Sequence, residues 1–317
     1  MNPNRKKILV AVDVSNQSLE GVRYVSKLLS SQEIEVVLFH VYNDLPEFLY
    51  DLGKEREYRR TIESIPGWQG ILETSMNDFM GEARQILIDS DVPEEWITIK
   101  IRKREGGIAR DIILESYEGY VAVVVGQGEM SGFNNSLIGS VANKLIEGLN
   151  HVAVCVVGGG PSPENILVAL DRSEGAMRAV DYVGSMFCRP NCEVTLLHVI
   201  KSIYVRPQED EDFFLSEEEK RLVEECLEVE KVEMASVSDE SRNRLIEACF
   251  EPKRVRTKLI THVSSRAGAI VQEARDGGYG TIVVGRRGLS EVEEFVMGRV
   301  SRKVIHLARE RAVWVVP

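Results

Sequence analysis

The sequence predicts an α/β protein of two tandem domains, each a doubly wound parallel sheet of five strands. Three observations carry this prediction: an internal repeat, an alternation of strand-like and helix-like patterns in each copy, and a glycine- and proline-rich segment between the copies. The chain has 317 residues, enough for two domains of about 150 residues each. We expect the domains at 1–159 and 164–317, with GGGPSP at 158–163 as the linker.

The repeat consists of five pairs of matching segments that are 158 or 159 residues apart. The pairs are KILVAVDVS (7–15) and NILVALDRS (165–173), FHV with His40 and LHV with His198, VVVG ending at Gly126 and IVVG ending at Gly285, IGSV with Gly139 and MGRV with Gly298, and AVCVV (153–157) and AVWVV (312–316). Because the pairs keep the same order over the length of a domain, they indicate a tandem duplication.

Each copy alternates short apolar runs with helical periodicity. In the first copy the strand-like runs are ILVAVDV, EVVLFHV, WITIKIR, VAVVVG and HVAVCVV. Leu19, Val22 and Val25 recur at helical spacing after the first run, and 108–116 and 141–146 have helical patterns. The second copy repeats this order, and alternating strands and helices imply parallel sheets with right-handed crossovers.

The segments at 44–92 and 201–250 do not align between the copies. The first contains the charged, Tyr-rich stretch YDLGKEREYRR, and the second contains the acidic tract QEDED followed by a helical pattern that Ser216 can cap. Two interpretations remain for these inserts: covering helices with a solvated charged face, or a partner surface or lid.

Composition restricts the class of partner and the compartment. The formal net charge is −11, and acidic residues exceed basic ones in both halves, so we expect no nucleic-acid partner. The apolar runs are far shorter than a bilayer span, and the N-terminus lacks the features of a signal peptide. We therefore expect a cytoplasmic protein with no membrane partner.

The five cysteines are an odd number, which argues against a disulfide framework. Cys188 and Cys192 in CRPNC lack the usual spacing of a metal or redox pair, and no second pair of ligands follows. We therefore expect no metal site. His40 and His198 occupy equivalent strand ends without a nearby nucleophile, which favours a structural role.

Polar residues and glycines follow the strands whose carboxyl ends bind ligands in a doubly wound sheet. Asp13 and Asp171 each end the first strand of a copy, where a carboxylate can accept from a ribose hydroxyl or cap a local turn. The loop after the fourth strand, GQGEMSGFNNSLIGS, runs from Gly126 to Ser140. Its glycines allow backbone amides to approach a phosphate, and Gly139 opens a helix whose N-terminus favours anions.

These features resemble the universal stress protein family, in which G-x2-G-x9-G-(S/T) follows the fourth strand and an Asp ends the first. The resemblance covers both copies apart from the inserts. It implies a Rossmann-like fold of the adenine nucleotide alpha hydrolase type, binding ATP or another adenine nucleotide, with or without Mg²⁺. In the first copy it implies Asp13 for ribose or adenine, Val41 for an adenine-side backbone contact, and Gly126, Gly128, Gly132, Gly139 and Ser140 for the phosphate loop.

Both copies depart from the family pattern. In the first copy Glu129 stands at the second motif glycine, with Gly128 one residue before it. In the second copy Arg299 replaces the Ser or Thr, and the loop contains Glu291, Glu293 and Glu294, which could pair with neighbouring arginines and imitate a phosphate. We therefore expect the first copy to be the better nucleotide site. The second, degenerate candidate site consists of Asp171, Val199, Gly285, Gly288, Gly298 and Arg299.

Two other functions remain open beside nucleotide binding in a stress response. One is a nucleotide-independent interaction or scaffold protein with vestigial glycine loops, and the other is an enzyme of the same nucleotide-binding superfamily. The sequence contains no G-x4-GK-(S/T), no SGGxDS loop and no evident acid–base pair. We therefore expect no dedicated catalysis and at most slow ATP hydrolysis.

The apolar strands that end each copy suggest an assembly, since exposed strand edges are usually paired or covered. In the family that the sequence resembles, domains dimerise through the last strand. The resemblance therefore implies that 152–157 and 311–316 pair within the chain, so that the two domains are related by a pseudo-twofold axis. A further homodimer remains open.

Overall fold

The computed structural model describes residues 5–29, 33–43, 68–128, 138–201, 216–288 and 297–317, with the side chains of 68–73 left out. The chain divides into two compact units, Met1–Val154 and Cys155–Pro317. Each unit contains parallel strands connected by helices, which confirms the predicted α/β class. The predicted domain boundaries and linker stay predictions. The stretches YDLGKEREYRR and QEDED lie outside the described residues.

In unit 1 the strand that leads to the candidate site is central. The described elements, in order, are β1 (Lys6–Ala11), α1 (Asn16–Leu29), β2 (Ile34–Tyr42), α2 (Trp68–Ile88), β3 (Ile97–Lys103), α3 (Ile108–Glu115), β4 (Ala122–Gly126), α4 (Ser140–Gly148) and β5 (Ala153–Val157), of which β5 crosses the unit boundary. The strand order is β3-β2-β1-β4, and the pairs are parallel. The chain leaves β1 between β2 and β4, where the connections diverge and open a crevice.

Unit 2 repeats the arrangement. Its elements are β6 (Asn165–Ala169), α5 (Glu174–Met186), β7 (Glu193–Lys201), α6 (Glu217–Ala248), β8 (Val255–Val263), α7 (Arg266–Asp276), β9 (Thr281–Gly285), α8 (Arg299–Leu307) and β10 (Ala312–Val316). The order is β10-β9-β6-β7-β8, again with parallel pairs. Asp171 follows β6 as Asp13 follows β1.

The core forms because the inner strands are apolar on both faces and helices cover them, whereas the edge strands β3 and β8 are largely exposed. Ile8 and Leu9 in β1 and Val123 in β4 are fully buried, as expected for a parallel sheet. In unit 2 the buried Trp314 packs against Tyr182 and Phe187, with ring centroids 5.5 Å apart in each case. These contacts fix α5 against the sheet and so fix the turn that precedes it. In the part of the chain that is described, no helix could cross a membrane.

The described parts of both inserts are helical. The α6 helix has 32 residues and begins with a capping box in which Ser216 and Glu219 satisfy each other's backbone N–H groups. Its C-terminal half packs on α5, where Leu245 and Ser241 are buried. Cys188 and Cys249, whose Cα atoms are 6.0 Å apart, form a disulfide between the ends of these two helices. The odd cysteine count did not indicate this pair, because only the packing of α6 on α5 brings the two residues together.

Candidate functional site

The turn after β1 presents the carboxylate of Asp13 at the edge of the sheet. The Oγ of Ser15 is hydrogen-bonded to Oδ1 of Asp13, and the Oγ of Ser18 donates to the Asp13 carbonyl at 2.6 Å. The carboxylate thus takes part in a local turn while its side chain remains exposed and lines a cavity. Asp13 can therefore both stabilise the local turn and accept a hydrogen bond from a ligand, the two roles considered for it from the sequence.

A buried histidine supports the end of the central strand in each unit. Nδ1 of His40 lies 2.8 Å from the Val12 carbonyl, and Nδ1 of His198 lies 2.8 Å from the Leu170 carbonyl. Because a carbonyl can only accept, Nδ1 carries the proton in both rings. Both histidines therefore have the predicted structural role, holding the strand end next to the aspartate.

The glycines of the first-copy loop allow backbone segments to touch. A Cβ at Gly126 would lie 2.9 Å from the Gln17 carbonyl oxygen, so this glycine permits β4 to approach α1. Gly128 has a φ of +91°, and a Cβ there would lie 2.8 Å from the Cα of Gly139. The N–H of Gly139 donates to the Gln127 carbonyl at 2.8 Å. The two ends of the loop are thus held together at the start of α4.

The second copy uses its glycines in a similar way. A Cβ at Gly285 would lie 2.5 Å from the carbonyl carbon of Gly175, and the N–H of Gly298 donates to the Arg286 carbonyl at 2.8 Å. A Cβ at Gly288 would lie 2.8 Å from Oδ2 of Asp171. The aspartate and the glycine loop are therefore direct neighbours in this unit.

A cavity of about 230 Å³ in unit 1 brings the predicted residues together. The candidate residues that line it are Asp13, Val41, Gly126, Gly128, Gly139 and Ser140. Gly132 and Glu129 lie outside the described residues. We did not predict from the sequence that Phe39, Ile108 and Ile112 line this cavity. The apolar residues at the start of α3 could have indicated Ile108 and Ile112.

The turn into α3 positions this wall. The buried carboxylate of Asp111 accepts from the backbone N–H groups of Glu105 and Gly106 at 2.9 and 3.1 Å. These bonds fix the segment between β3 and α3, so Ile108 and Ile112 border the cavity.

The cavity in unit 2 is larger, about 480 Å³. All six predicted residues of the second candidate site line it: Asp171, Val199, Gly285, Gly288, Gly298 and Arg299. His198, Glu230, Arg266 and Arg287 line it as well and were not predicted. The glutamates at 291, 293 and 294 lie outside the described part of the loop, so their predicted pairing with the arginines stays a prediction.

Charge near the second cavity is largely basic. Arg286, next to Arg287, is buried, and burial together with the charge of Arg287 lowers the pKa of its guanidinium. The backbone N–H of Arg286 donates to the Val316 carbonyl at 2.6 Å. In the described ranges no group of three His, Cys, Asp or Glu side chains is arranged to hold a metal ion.

Comparisons with known proteins agree with this architecture. Among solved structures, a universal stress protein from Archaeoglobus fulgidus DSM 4304 has a TM-score of 0.60 and 19% identity, covering 99% of this chain and 98% of its own. A protein of unknown function from Pseudomonas aeruginosa PAO1 has a TM-score of 0.53 and 12% identity, covering 99% and 92%. These likenesses concern the fold. No curated protein matches significantly. The model of the universal stress protein family matches residues 4–157 and again 163–317, so the chain belongs to that family as a tandem, two-domain member.

Proposed function

We propose that this protein binds ATP or a related adenine nucleotide in the cavity of unit 1, as part of a stress response. The observation that carries the proposal is the convergence of three features on one cavity. Asp13 follows the central strand, the paired loop ends at Gly128 and Gly139 lie beside it, and α4 begins there with Ser140. Backbone N–H groups at a helix N-terminus favour a phosphate, and a carboxylate at the end of a neighbouring strand can accept a hydrogen bond from a ribose hydroxyl.

The apolar wall supports an adenine at the other end of the cavity. Phe39, Val41 and Ile108 offer an apolar surface on which a purine ring can be buried. The backbone around Gly128 leaves no room for a Cβ. This is expected of a loop whose backbone comes close to phosphates. The residues present therefore fit the nucleotide, with or without Mg²⁺.

Binding without dedicated catalysis follows from the same cavity. Asp13 is the one ionisable side chain among the described residues that line it, and Ser15 already occupies one of its oxygens. Activation of water needs a general base placed for that purpose. We therefore propose slow hydrolysis at most.

Calorimetric titration of the full chain with ATP tests the proposal. Asp13→Asn should weaken binding by about 10-fold or more, since a hydrogen bond to a charged group contributes about 1.5–3 kcal/mol. Asp171→Asn is the matched control in the second copy and should leave ATP affinity unchanged. Equal weakening by both variants would contradict the preference for unit 1, and a wild-type chain that fails to bind ATP would refute the function itself.

We also propose that the two domains pair within the chain through 152–157 and 311–316. Both segments form short apolar strands, β5 and β10, and the edges of such strands are usually paired or covered. A homodimer of the paired chain is compatible with this arrangement. A cytoplasmic location completes the proposal and can be checked by cell fractionation.

A further inference from the structure

The cavity of unit 2 keeps most of the apolar lining of unit 1 but adds two charged side chains. Both cavities are bordered by loop glycines and a helix N-terminus. Phe39 and Ile112 of unit 1 correspond to Leu197 and Ile270 of unit 2, which are also apolar, whereas Ile108 corresponds to Arg266. Glu230 of α6 lines the cavity of unit 2 as well. A ligand in unit 2 therefore meets a carboxylate and a guanidinium that the described lining of unit 1 lacks.

His198 contributes a polar atom to this lining. Since Nδ1 of its ring donates to the Leu170 carbonyl, Nε2 is the ring nitrogen that is left for a second partner. His198 is 6% exposed, and within the described ranges its Nε2 has no hydrogen-bond partner. Oε1 of Glu230 lies 3.4 Å from this nitrogen, which is within ion-pair distance for a protonated ring. The two side chains therefore form a polar pair in the lining of the cavity.

The position of Glu230 is fixed by the packing of α6. Glu233, one turn further along the same helix face, is paired with Arg172 beside the site. Further along, Arg244 makes two hydrogen bonds to Asp181 of α5, at 3.0 and 3.2 Å. These contacts place α6 beside the cavity, and Glu230 is the residue of this helix that lines it.

Arg266 supplies donors to the same lining. Its Nε donates to the Val199 carbonyl at 3.2 Å, which anchors the guanidinium at the end of β7. A guanidinium has five N–H donors, so this bond leaves others available to a ligand. The lining therefore combines a carboxylate acceptor with a guanidinium donor.

We propose that the cavity of unit 2 is a guanine-nucleotide site, an inference that rests on the proposed nucleotide binding of the glycine loops. Guanine has adjacent N1–H and N2–H₂ donors that suit a carboxylate such as Glu230, and its O6 and N7 acceptors suit an arginine such as Arg266. Adenine has an acceptor at N1 where guanine has a donor, and a carboxylate repels it. Arg287 and Arg299, which also line the cavity, favour the phosphates.

Titration of the full chain with GTP and, separately, with ATP tests this inference. Glu230→Gln should weaken GTP binding by about 10- to 100-fold, as expected for loss of a bidentate base contact, and should leave ATP binding unchanged. Arg266→Ile, which introduces the type of residue found in unit 1, should also weaken GTP binding. Glu228→Gln is the control, because this residue lies on the same helix, is exposed and pairs with Lys231.

Four outcomes would overturn the inference. If ATP binds and GTP does not, the guanine site is wrong while the proposed function stands. If neither binds, both are wrong. If GTP binds equally to wild type, Glu230→Gln and Arg266→Ile, its site is elsewhere. If Asp13→Asn abolishes GTP binding, GTP occupies unit 1 instead.

Discussion

Glu115 on α3 carries a buried carboxylate that ties the helix to the edge strand β3. It accepts hydrogen bonds from Lys100 at 2.6 Å, Arg102 at 2.9 Å and the hydroxyl of Tyr120 at 2.8 Å. Burial raises the pKa of this carboxyl group, but the hydrogen bonds from Lys100 and Tyr120 and the two positive charges outweigh burial and hold the pKa below its usual range. The ionised form is therefore the one that stabilises the fold.

Glu115→Gln should lower the free energy of unfolding by about 3 kcal/mol at neutral pH, because it removes one partner of a buried ionic cluster. Since the folded pKa is depressed, the contribution is fully present above the unfolded pKa of about 4.3 and is lost as the pH falls through the folded pKa. Urea unfolding from about pH 8 down to pH 3 measures this difference, which should shrink only below about pH 4.

Exposed Glu118 provides the control for this experiment. Glu118→Gln should change stability by less than about 0.5 kcal/mol. In the second copy, Glu273 pairs with Lys258 at 2.7 Å and its side chain is 11% exposed, so Glu273→Gln should cost less than Glu115→Gln. An equal cost for Glu118→Gln would show that the buried cluster is not the cause.

Gly128 is a second residue whose role can be tested alone. Its φ of +91° and the close approach to Gly139 exclude a Cβ, so Gly128→Ala should destabilise the protein by about 1–3 kcal/mol and weaken ATP binding. Gly81→Ala is the control: Gly81 lies in α2 with open space around it, and alanine there should stabilise by about 0.5–1 kcal/mol. Thermal unfolding and ATP titration measure both effects, and unchanged ATP affinity in Gly128→Ala would contradict the role of the loop.

At the scale of elements, α6 distinguishes the second domain from the first. Its C-terminal half is held close to α5, where a Cβ at Gly184 would lie 2.9 Å from the Cβ of Ala248. Its N-terminal half exposes Leu222, Val229 and Val232. The helix thus has an anchored end and a solvated end, with Glu230 between them at the edge of the cavity.

The disulfide between Cys188 and Cys249 should stabilise this anchored end. It closes a loop with a sequence separation of 61 residues, for which chain entropy gives about 4 kcal/mol. Dithiothreitol should therefore lower the midpoint of urea unfolding of the wild type. Cys188→Ser should show this lowered midpoint even without reductant. Cys226→Ser removes an exposed free thiol and should change nothing. If the reductant leaves the wild-type midpoint unchanged, the disulfide does not stabilise the fold.

At the scale of the whole molecule, the duplication has produced two cavities that share a glycine loop and differ in part of their lining. Asp13 and Asp171 follow equivalent strands, and glycine loops lie beside both. Apolar residues line both cavities as well, but in unit 2 Glu230 and Arg266 add a carboxylate and a guanidinium to the lining. A tandem chain can thus differentiate its two sites while the sheets stay alike.

The proposed pairing of the domains is a prediction at the same scale. Spin labels on cysteines introduced at Asn150 and Glu310, which are exposed and precede β5 and β10, should give a short and narrow distance distribution, since paired strands leave their flanking turns little freedom. The exposed Cys226 is first changed to serine. A broad distribution, or one typical of independent domains, would contradict the pairing.

Much of the fold could be predicted because its signals are local. The runs around Leu9 and Val124 are apolar enough for buried strands, and the spacing of Leu19 and Val22 indicates a helix. The order of these elements then places Asp13 and the glycine loop at one edge of the sheet, since the carboxyl ends of parallel strands meet there. The family resemblance implies that Gly126 contacts a phosphate. The structure adds that this glycine allows β4 to touch α1.

By itself, the sequence determined the duplication, the parallel α/β class and the two strand ends that form the candidate sites, because periodicity and chain order are properties of neighbouring residues. Only the tertiary structure decided which distant side chains complete each cavity. Phe39 and Ile108 meet in unit 1, and Glu230 comes to lie beside His198 in unit 2. The disulfide of Cys188 and Cys249 has the same origin. These contacts depend on how helices and inserts pack on the sheet. Because the segments involved are far apart in the chain, no pattern among neighbouring residues predicts which side chains meet.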